Sequence, residues 1–368
     1  MSVYTNRPDY ADLDSPAKFQ AIQGIILTRL RQHPKAICSY SGGSDSDIMI
    51  DMIERARALI PGYIEPIKYV FFNTGLEMKA TKDHVKATAE KYGVEIEECR
   101  PKIGIVQAVK NYGVPFYSKH FSQRLYEYQK KQIPLSIISE FHNAKDKQVK
   151  FHEINGRFPK CKALIQFLLN ADKTGKSGLC GQLGIDSALY FADFLNDFPP
   201  DFLISAKCCD CCKKQIAHQV QKGYEMIITG EREAEGGVRS TSKRLLKNNP
   251  TNTMCFAEQS NGQYRFRPLF YVSDKDKAWY KEHYGIRYSD AYEVYGLTRT
   301  GCCGCPINSK VVDDLEKIRE YEPNVVKVAW NIFGKSYEYR RRYNEYKSKR
   351  REEEKRNKDQ ITFEEGDR

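Results

Sequence analysis

The sequence lacks any uninterrupted apolar run that approaches the ~18 residues of a membrane-spanning helix. It also lacks a basic start followed by an apolar stretch, which is the usual form of a secretory signal, and it shows no internal repeat and no low-complexity linker. These absences argue against a membrane protein and a secreted disulfide scaffold. We therefore expect a cytoplasmic protein with no membrane partner.

The composition is that of a folded chain. Its 368 residues are 40% hydrophobic and 29% charged, which excludes a disordered tail. The length allows roughly two domains at ~150 residues each, or one α/β core with insertions. The chain has 12 cysteines, and in a reducing compartment clustered cysteines indicate metal or redox chemistry more than disulfides.

The net charge of +11 is concentrated in one segment. Residues 100–176 contain 15 basic and five acidic side chains, a net +10. Aromatic residues interleave with the cations of this segment, namely Tyr112, Phe116, Tyr117, Phe121, Tyr126 and Tyr128 among Lys110, Lys119, Arg124, Lys130 and Lys131. Cations that neutralise phosphates and rings that stack on bases favour a nucleic-acid surface. The alternative is a helical insertion with a solvated basic face and aromatics in its core, and periodicity does not separate the two.

Apolar periodicity predicts alternating helices and strands. An amphipathic helix over 16–33 is followed by a short strand at 36–40, and a second helix runs to Leu59. Further strands are predicted at 67–72 and 226–229. Strands that alternate with helices in this way predict a parallel sheet, with ligands bound at the carboxyl ends of its strands.

The first predicted strand ends in a loop rich in glycine and serine, Ser41-Gly42-Gly43-Ser44-Asp45-Ser46. Two glycines let the backbone approach a phosphate, and the following helix start offers N–H groups and a partial positive charge. The hydroxyls add donors, whereas a carboxylate at position 45 needs a cation between itself and the phosphates. We therefore expect Asp45 to act as a Mg²⁺ ligand, directly or through water. The alternative for the loop is a serine-rich turn that only caps the helix.

Four motifs together resemble one known family. Ser41-Gly42-Gly43-x-Asp45-Ser46 resembles the PP-loop of the adenine nucleotide alpha-hydrolase superfamily. Three later segments resemble motifs of its phosphoadenosine phosphosulfate (PAPS) reductase branch, and they follow in the family's order: Phe72-Asn73-Thr74-Gly75-Leu76-Glu77, Gly230–Arg239 and Arg299-Thr300-Gly301-Cys302-Cys303-Gly304-Cys305-Pro306.

The resemblance implies an α/β fold, a parallel-sheet PP-loop core with a basic, mainly helical insertion and a helical C-terminal tail. Its segments would be 1–35, an N-terminal helical part; 36–310, the PAPS reductase-like domain with the insertion at about 100–176 and cysteine clusters at 208–212 and 302–305; and 311–368, a charged helical extension.

The resemblance also implies site residues for an adenine nucleotide, either ATP or a sulfonucleotide. The phosphates would be cradled by Ser41, Gly42, Gly43, Ser44 and Ser46. The second motif would lie near adenine or ribose, through Asn73, Thr74, Gly75 and Glu77. Arg232 and Arg239 would reach terminal phosphate or sulfate oxygens and, with Asp45, form the catalytic set.

The cysteine clusters imply a metal. Adjacent Cys208-Cys209 together with Cys302-x-x-Cys305 resembles the set that holds a 4Fe-4S cluster in iron–sulfur sulfonucleotide reductases. Four thiolates also suit Zn²⁺, and unliganded thiols are a third alternative. Substitute ligands or sulfur-carrying thiols remain available at Cys211, Cys212, Cys255 and Cys303.

One expected residue is missing, because sulfonucleotide reductases use a cysteine near their C-terminus and none follows Cys305 here. The first hypothesis is therefore an iron–sulfur enzyme that uses ATP, releases pyrophosphate and activates a substrate, which could be nucleic acid, for sulfur transfer from a donor. The second is a divergent PAPS or APS reductase that uses a thioredoxin-like reductant, with Cys303, Cys255 or Cys212 as nucleophile. The third is a non-catalytic nucleic-acid-binding module with a structural metal.

Overall fold

A six-stranded sheet forms the centre of one of two compact units in a computed structural model, which describes residues 8–59, 62, 66–171, 190–236 and 251–366. Unit 1 comprises Met1–Ile105, Cys211–Cys303 and Asp314–Val326. Unit 2 comprises Val106–Asp210, Gly304–Asp313 and Lys327–Arg368. The segment boundaries drawn from the sequence stay a prediction.

The sheet belongs to unit 1 and is mostly parallel. Its strands are β1 Ala36–Ser39, β2 Lys68–Phe72, β3 Ile96–Cys99, β4 Met226–Thr229, β5 Phe256–Glu258 and β6 Tyr264–Phe266. Their order is β3-β2-β1-β4-β6-β5, and only the β5–β6 pair is antiparallel. The α/β fold class expected from the sequence is therefore confirmed.

Helices supply most of the remaining structure. In chain order they are α1 Ser15–Gln32, α2 Ser44–Leu59, α3 Lys79–Tyr92, α4 Ile105–Tyr112, α5 Lys119–Lys131, α6 Ser136–His142, α7 Lys147–Arg157, α8 Lys162–Leu168, α9 Phe191–Asp197, α10 Lys207–Cys209, α11 Gln215–Val220, α12 Asp274–Tyr284, α13 Asp290–Glu293, α14 Val311–Arg319 and α15 Pro323–Gly366. A π-helical turn, Asp210–Lys214, joins α10 to α11, and short 3₁₀ turns cover Asp9–Asp12 and Glu233–Glu235.

Both faces of the sheet are buried. Cys38 of β1 packs in the main core with Ile26 of α1 and Ile53 of α2. The neighbouring Ile37 belongs instead to a second cluster with Ile216 of α11. Successive strand residues point to opposite faces, so helices cover the sheet on both sides, as parallel sheets require.

The strand order creates a topological switch point. From β1 the chain adds β2 and β3 on one side, and it later returns to place β4 on the other side of β1. The loops that leave β1 and β4 therefore diverge at the carboxyl edge of the sheet. Open α/β sheets bind ligands in the crevice at this position.

Unit 2 is built from helices around an aromatic core. Phe116, Phe121, Phe194 and Tyr343 are each fully buried in it. Tyr343 comes from α15, so the C-terminal helix completes this core. The prediction that the basic insertion is mainly helical is confirmed by α4 to α8.

The length and apolar character of the helices bear on membrane insertion. Across the described residues, no helix is both long enough and apolar enough to cross a membrane.

Candidate functional site

The loop after β1 closes around one of its own hydroxyls. The backbone N–H groups of Ser41 and Gly43 donate to Ser46 Oγ at 3.3 and 3.1 Å, and Ser46 Oγ donates to the Gly43 carbonyl at 2.7 Å. Two loop amides thus converge on one oxygen. The same donors, at the start of α2, have the chemistry that binds a phosphate oxygen.

Both loop glycines have close neighbours that would crowd a side chain. Gly42 has φ of +66°, and a Cβ there would lie 2.9 Å from Thr81 Cγ2 of α3. A Cβ on Gly43 would lie 3.1 Å from Thr300 Oγ1 and 3.3 Å from the Tyr292 hydroxyl. The loop is therefore packed between α3 and the segment that carries the cysteine motif.

Asp45 sits between two cations. Its Oδ1 lies 2.8 Å from Arg232 Nε and 2.6 Å from Lys277 Nζ. Lys277 also donates to Ser44 Oγ at 2.6 Å. Burial and the neighbouring Asp45 charge raise the pKa of Glu235. The predicted Mg²⁺ role of Asp45 stays a prediction.

Arg232 connects the loop after β4 to the loop after β1. It is 4% exposed, and besides Asp45 it donates to the Val272 carbonyl at 3.0 Å and to Asp274 Oδ1 at 2.9 Å. Burial opposes the charged form, but the two carboxylates outweigh it and raise the pKa of the Arg232 guanidinium. Its predicted contact with a terminal phosphate or sulfate is untested, and Arg239 lies outside the described residues.

The second motif is shaped by its own side chains. The Glu77 carboxylate accepts from Thr74 N and Thr74 Oγ1, each at 2.8 Å, and from Gly75 N at 3.2 Å. Asn73 Oδ1 also accepts from Gly75 N, at 2.9 Å. Glu77 and Asn73 therefore fix the conformation of the turn after β2. The backbone of this turn lies at the carboxyl edge of the sheet.

The cysteine motif reaches both nucleotide motifs. Thr300 borders Gly43 of the first, as described above. Cys302 Sγ lies 3.4 Å from Thr74 Oγ1 of the second, and Cys303 N donates to the Leu76 carbonyl at 2.7 Å. The cysteine motif thus contacts both the loop at 41–46 and the second motif. Arg232, which belongs to the remaining motif at Gly230–Arg239, contacts Asp45 of the same loop.

The four predicted metal ligands differ in their exposure. Cys208 is buried, whereas Cys209, Cys302 and Cys305 are partly exposed. Among the residues described, no group of three or more Cys, His, Asp or Glu has an arrangement that could hold a metal ion. The π-helical turn beside Cys208 and Cys209 is an irregularity of a kind often found at functional sites.

Most aromatics of the basic segment are core residues. Phe116 and Phe121 are fully buried, and Tyr117 and Tyr128 pack against the same core. Tyr112 and Tyr126 are half-buried outside this core, and Lys207 Nζ lies 5.5 Å from the Tyr112 ring centroid and 4.6 Å from that of Tyr126. The alternative prediction, a helical insertion whose aromatics lie in its core, thus holds for four of the six aromatics, namely Phe116, Tyr117, Phe121 and Tyr128.

Several residues that contact the phosphate loop or its partner Arg232 carry no signal in the sequence. Lys277 and Asp274 come from α12, and Tyr292 from α13. Their spacing is that of ordinary amphipathic helices, so no local pattern distinguishes them. Only the tertiary approach of α12 and α13 to the loop identifies them.

Several solved structures resemble the chain, but only distantly. A PAPS reductase from Candida auris in a phosphate complex is 13% identical with a TM-score of 0.38, covering 76% of this chain and 87% of that one. The U34-tRNA thiolase NcsA from Methanococcus maripaludis, with its [4Fe-4S] cluster, is 12% identical with a TM-score of 0.32, covering 88% and 80%. An NH3-dependent NAD synthetase from Campylobacter jejuni is 10% identical with a TM-score of 0.32, covering 89% and 96%.

Sequence comparisons gave one assignment. No curated protein matches the chain. Residues 35–145 match the family model of the phosphoadenosine phosphosulfate reductase domain, a span that includes β1, the loop at 41–46 and the second motif. The family resemblance inferred from the motifs is confirmed by this match, which extends over residues 35–145.

Proposed function

We propose that the chain is an enzyme that binds ATP at the switch point, transfers AMP to an oxygen of a second substrate with release of pyrophosphate, and so activates that substrate for sulfur transfer with AMP as the leaving group. One observation carries this proposal. The loop after β1 and the loop after β4 meet at the carboxyl edge of the sheet, where Gly230 lies so close that a Cβ would be 3.3 Å from the Asp45 carbonyl.

The surroundings of the loop suit a polyphosphate. Two amides converge on one oxygen position, and α2 begins directly behind them. Lys277 places a cation against Ser44 at the same loop. These donors would hold the phosphates and stabilise a departing pyrophosphate, whose negative charge grows as the bond breaks.

A thiol lies next to the nucleotide motifs. Cys302 is partly exposed, and its sulfur contacts Thr74 in the second motif. A sulfur at this position supports chemistry in which a nucleotide-activated atom is attacked by a sulfur nucleophile. We therefore propose that Cys302 lies in the part of the site where the activated atom is attacked.

The cofactors remain part of the proposal. Asp45 is the candidate Mg²⁺ ligand, and Cys208, Cys209, Cys302 and Cys305 are the candidate 4Fe-4S ligands, with zinc as the alternative. The described residues do not present a preformed metal group. Anaerobic purification with iron, sulfide and zinc analysis tests this part, and the absence of all three would remove the cluster and zinc together.

Reductase chemistry is less well supported. Two of the thiols proposed as its nucleophile, Cys303 and Cys255, are buried, and burial is the main cause that raises their pKa values, to about 12 and about 11. Cys212 is 1% exposed. Because the thiolate is the nucleophile, these thiols are poorly suited to attack a sulfonucleotide. Sulfite release from PAPS or APS with thioredoxin would restore that alternative.

The positive charge of residues 100–176 is the main reason for proposing a nucleic-acid substrate. The segment 100–176 has a net charge of +10, and in unit 2 Lys207 lies beside the half-buried rings of Tyr112 and Tyr126. Cations beside aromatic rings suit phosphates and unstacked bases. DNA and RNA are distinguished by binding measurements with matched oligonucleotides.

The decisive experiment follows the products of ATP. Wild-type protein should release pyrophosphate, while Gly43→Ala should bind ATP several-fold more weakly because its new methyl would press on Thr300 and Tyr292. Gly24→Ala is the matched control, since nothing lies within 4 Å of a Cβ there. Release of orthophosphate in place of pyrophosphate would contradict α–β cleavage. Nucleic-acid binding without any nucleotide binding would favour a non-catalytic module.

A further inference from the structure

Two lysines of unit 2 lie over the same tyrosine ring. Lys130 Nζ lies 4.8 Å from the centroid of the Tyr126 ring, and Lys207 Nζ lies 4.6 Å from it. Lys207 Nζ is also 5.5 Å from the Tyr112 ring centroid. Ammonium groups are attracted to the electron-rich faces of aromatic rings, so the two rings hold the two cations near each other. Lys130 belongs to α5 and Lys207 begins α10, so packing within unit 2 creates this cluster.

Both cations also approach the Tyr126 hydroxyl. Hydrogen bonding by Lys130, and then by Lys207, lowers the pKa of this phenol, while burial opposes the shift more weakly. The hydroxyl therefore lies where solvent reaches it, and the Lys130 side chain is itself exposed. Two like charges beside one neutral oxygen repel each other, and an anion bound between them would remove that repulsion.

Neighbouring acids leave the charge of Lys130 uncompensated. Within the described part of the chain Lys130 forms no ion pair, and Glu127, the acid on the same helix, pairs with Arg124 at 2.6 Å. Lys131 adds a further exposed cation at the end of α5. This end of the helix thus presents an excess of positive charge to solvent, which suits a polyanion.

The same geometry argues against base stacking on these two tyrosines. A base stacks on an open aromatic face, whereas an ammonium group lies over each ring and both residues are half-buried. The rings therefore orient cations. Cations contact the phosphates of a strand, and phosphate contacts carry no direct sequence information.

We propose that Lys130, Lys207 and the Tyr126 hydroxyl form one site that binds a single phosphodiester of a nucleic-acid strand without reading its bases. The two ammonium groups would donate to the non-bridging oxygens, and the phenol would add a third donor. The proposal rests on the nucleic-acid substrate proposed above, and it names the chemical group of that substrate that unit 2 holds.

Titrations of a short DNA single strand, and of the same strand without its bases, test the proposal by fluorescence anisotropy. Lys130→Gln and Lys207→Gln should each raise the Kd about tenfold, the size of one charge-assisted contact. The factor should be the same for both strands, because their phosphates are identical. Lys207→Arg keeps the charge and should bind within about threefold of wild type, which separates loss of charge from misfolding.

The salt dependence counts the phosphates that the site neutralises. Each phosphate of a single strand contributes about 0.7 to the slope of log K against log salt. The double variant Lys130→Gln/Lys207→Gln should therefore lower the slope by about 0.7, the value for one shared phosphate, whereas two separate phosphates would lower it by about 1.4.

The matched control removes the same charge from unit 2 at two lysines that have acidic partners. Lys150 pairs with Glu153 at 2.6 Å, and Lys335 pairs with Asp201 at 3.0 Å. Lys150→Gln/Lys335→Gln should keep the wild-type salt slope and a Kd within about twofold of wild type, because these charges are already compensated.

Four results would each overturn the shared phosphate site. They are equal binding by the double variant and the control, a loss confined to the strand that has bases, a fall of about 1.4 in the slope, and displacement of the strand by an equal concentration of inorganic phosphate. In each case binding of the strand by the wild type still supports a nucleic-acid substrate. If the wild type binds neither strand, both proposals about nucleic acid are wrong, and pyrophosphate release from ATP tests the enzymatic proposal independently.

Discussion

Arg232 Nε donates to Asp45 Oδ1 at 2.8 Å and so joins the two loops that flank the switch point. The side chains are 5% and 14% exposed. The same guanidinium also donates to Asp274, whose side chain is 81% exposed. One arginine therefore has one carboxylate partner in a shielded position and one in solvent.

Removing the arginine should be far more damaging than removing its exposed partner. Arg232→Ala leaves Asp45 partly buried without this partner, and breaking a buried pair from one side costs about 3 kcal/mol. Asp274→Asn alters a solvated pair and should cost less than about 1 kcal/mol. Urea unfolding measures both changes in the free energy of unfolding.

The fluorescence change that reports unfolding can be restricted to unit 1. The chain has two tryptophans, so a Trp330→Phe background leaves Trp279 of α12 as the reporter. If the two variants lose the same free energy of unfolding, solvent screens both carboxylate partners of Arg232 to the same degree. The Arg232–Asp45 pair would then contribute no more to stability than the Arg232–Asp274 pair.

A second buried pair predicts a dependence on acid. Asp276 of α12 receives a hydrogen bond from Lys18 Nζ at 2.6 Å. Burial opposes its ionisation, but donors from Lys18, Ser273 and Ser15 prevail and lower the pKa of Asp276 to about 2. An unfolded aspartate has a pKa of about 3.9. The pair therefore stabilises the fold above that value, and this contribution is lost as the pH falls towards 2.

The thermal midpoint of the wild type should thus fall more steeply between pH 5 and pH 3 than that of Asp276→Asn. The contribution at pH 7 is about 1–2 kcal/mol after allowance for solvent screening. Asp83→Asn removes an exposed ion pair with Lys79 and should keep the wild-type slope. Parallel curves for wild type and Asp276→Asn would refute the assignment.

The sheet and the phosphate loop follow from local patterns. Short β-rich runs that end in Gly42-Gly43 and in Asn73-Thr74-Gly75 are visible in the sequence, and both are found at the carboxyl edge of the sheet. The partners of Asp45 could not be predicted in this way. Lys277 reaches it from α12, and only long-range packing determines that approach.

Periodicity also left the aromatic residues of the basic segment undecided. Phe121 and Tyr126 lie five residues apart on α5, yet Phe121 is fully buried and Tyr126 is half-buried beside Lys130 and Lys207. Their difference depends on which face of α5 meets α8 and α9. The metal ligands are undecided for a similar reason, because spacing does not show how distant cysteines come together.

The surface of unit 2 gives a sharper test of nucleic-acid binding than net charge does. Lys119, Lys130 and Lys131 are exposed, whereas Arg124 is paired with Glu127 and largely buried. Changing the three lysines to glutamine should weaken nucleic-acid binding. It should also lower the salt slope by up to about 0.7 for each single-strand phosphate that a lysine no longer neutralises. ATP affinity should not change.

The control removes the same charge elsewhere. Lys86, Lys222 and Lys275 are exposed residues of unit 1, and their triple change to glutamine should leave the salt slope as in wild type. If both triple variants weaken binding equally, the effect comes from overall charge and the segment 100–176 has no specific part in it.

Lys277 offers a direct test of the phosphate loop, because it joins the loop through Asp45 and Ser44. A cation at this position would form a charge-assisted hydrogen bond to a phosphate, which is worth about 1.5–3 kcal/mol. Lys277→Gln should therefore raise the Kd for ATP at least about tenfold in a calorimetric titration. Lys281→Gln, one helical turn further along α12, removes an equal charge from a residue that pairs with Glu293 at 2.7 Å. Its Kd should stay within about twofold of wild type, and an equal loss in both variants would mean that the helix acts only through its net charge.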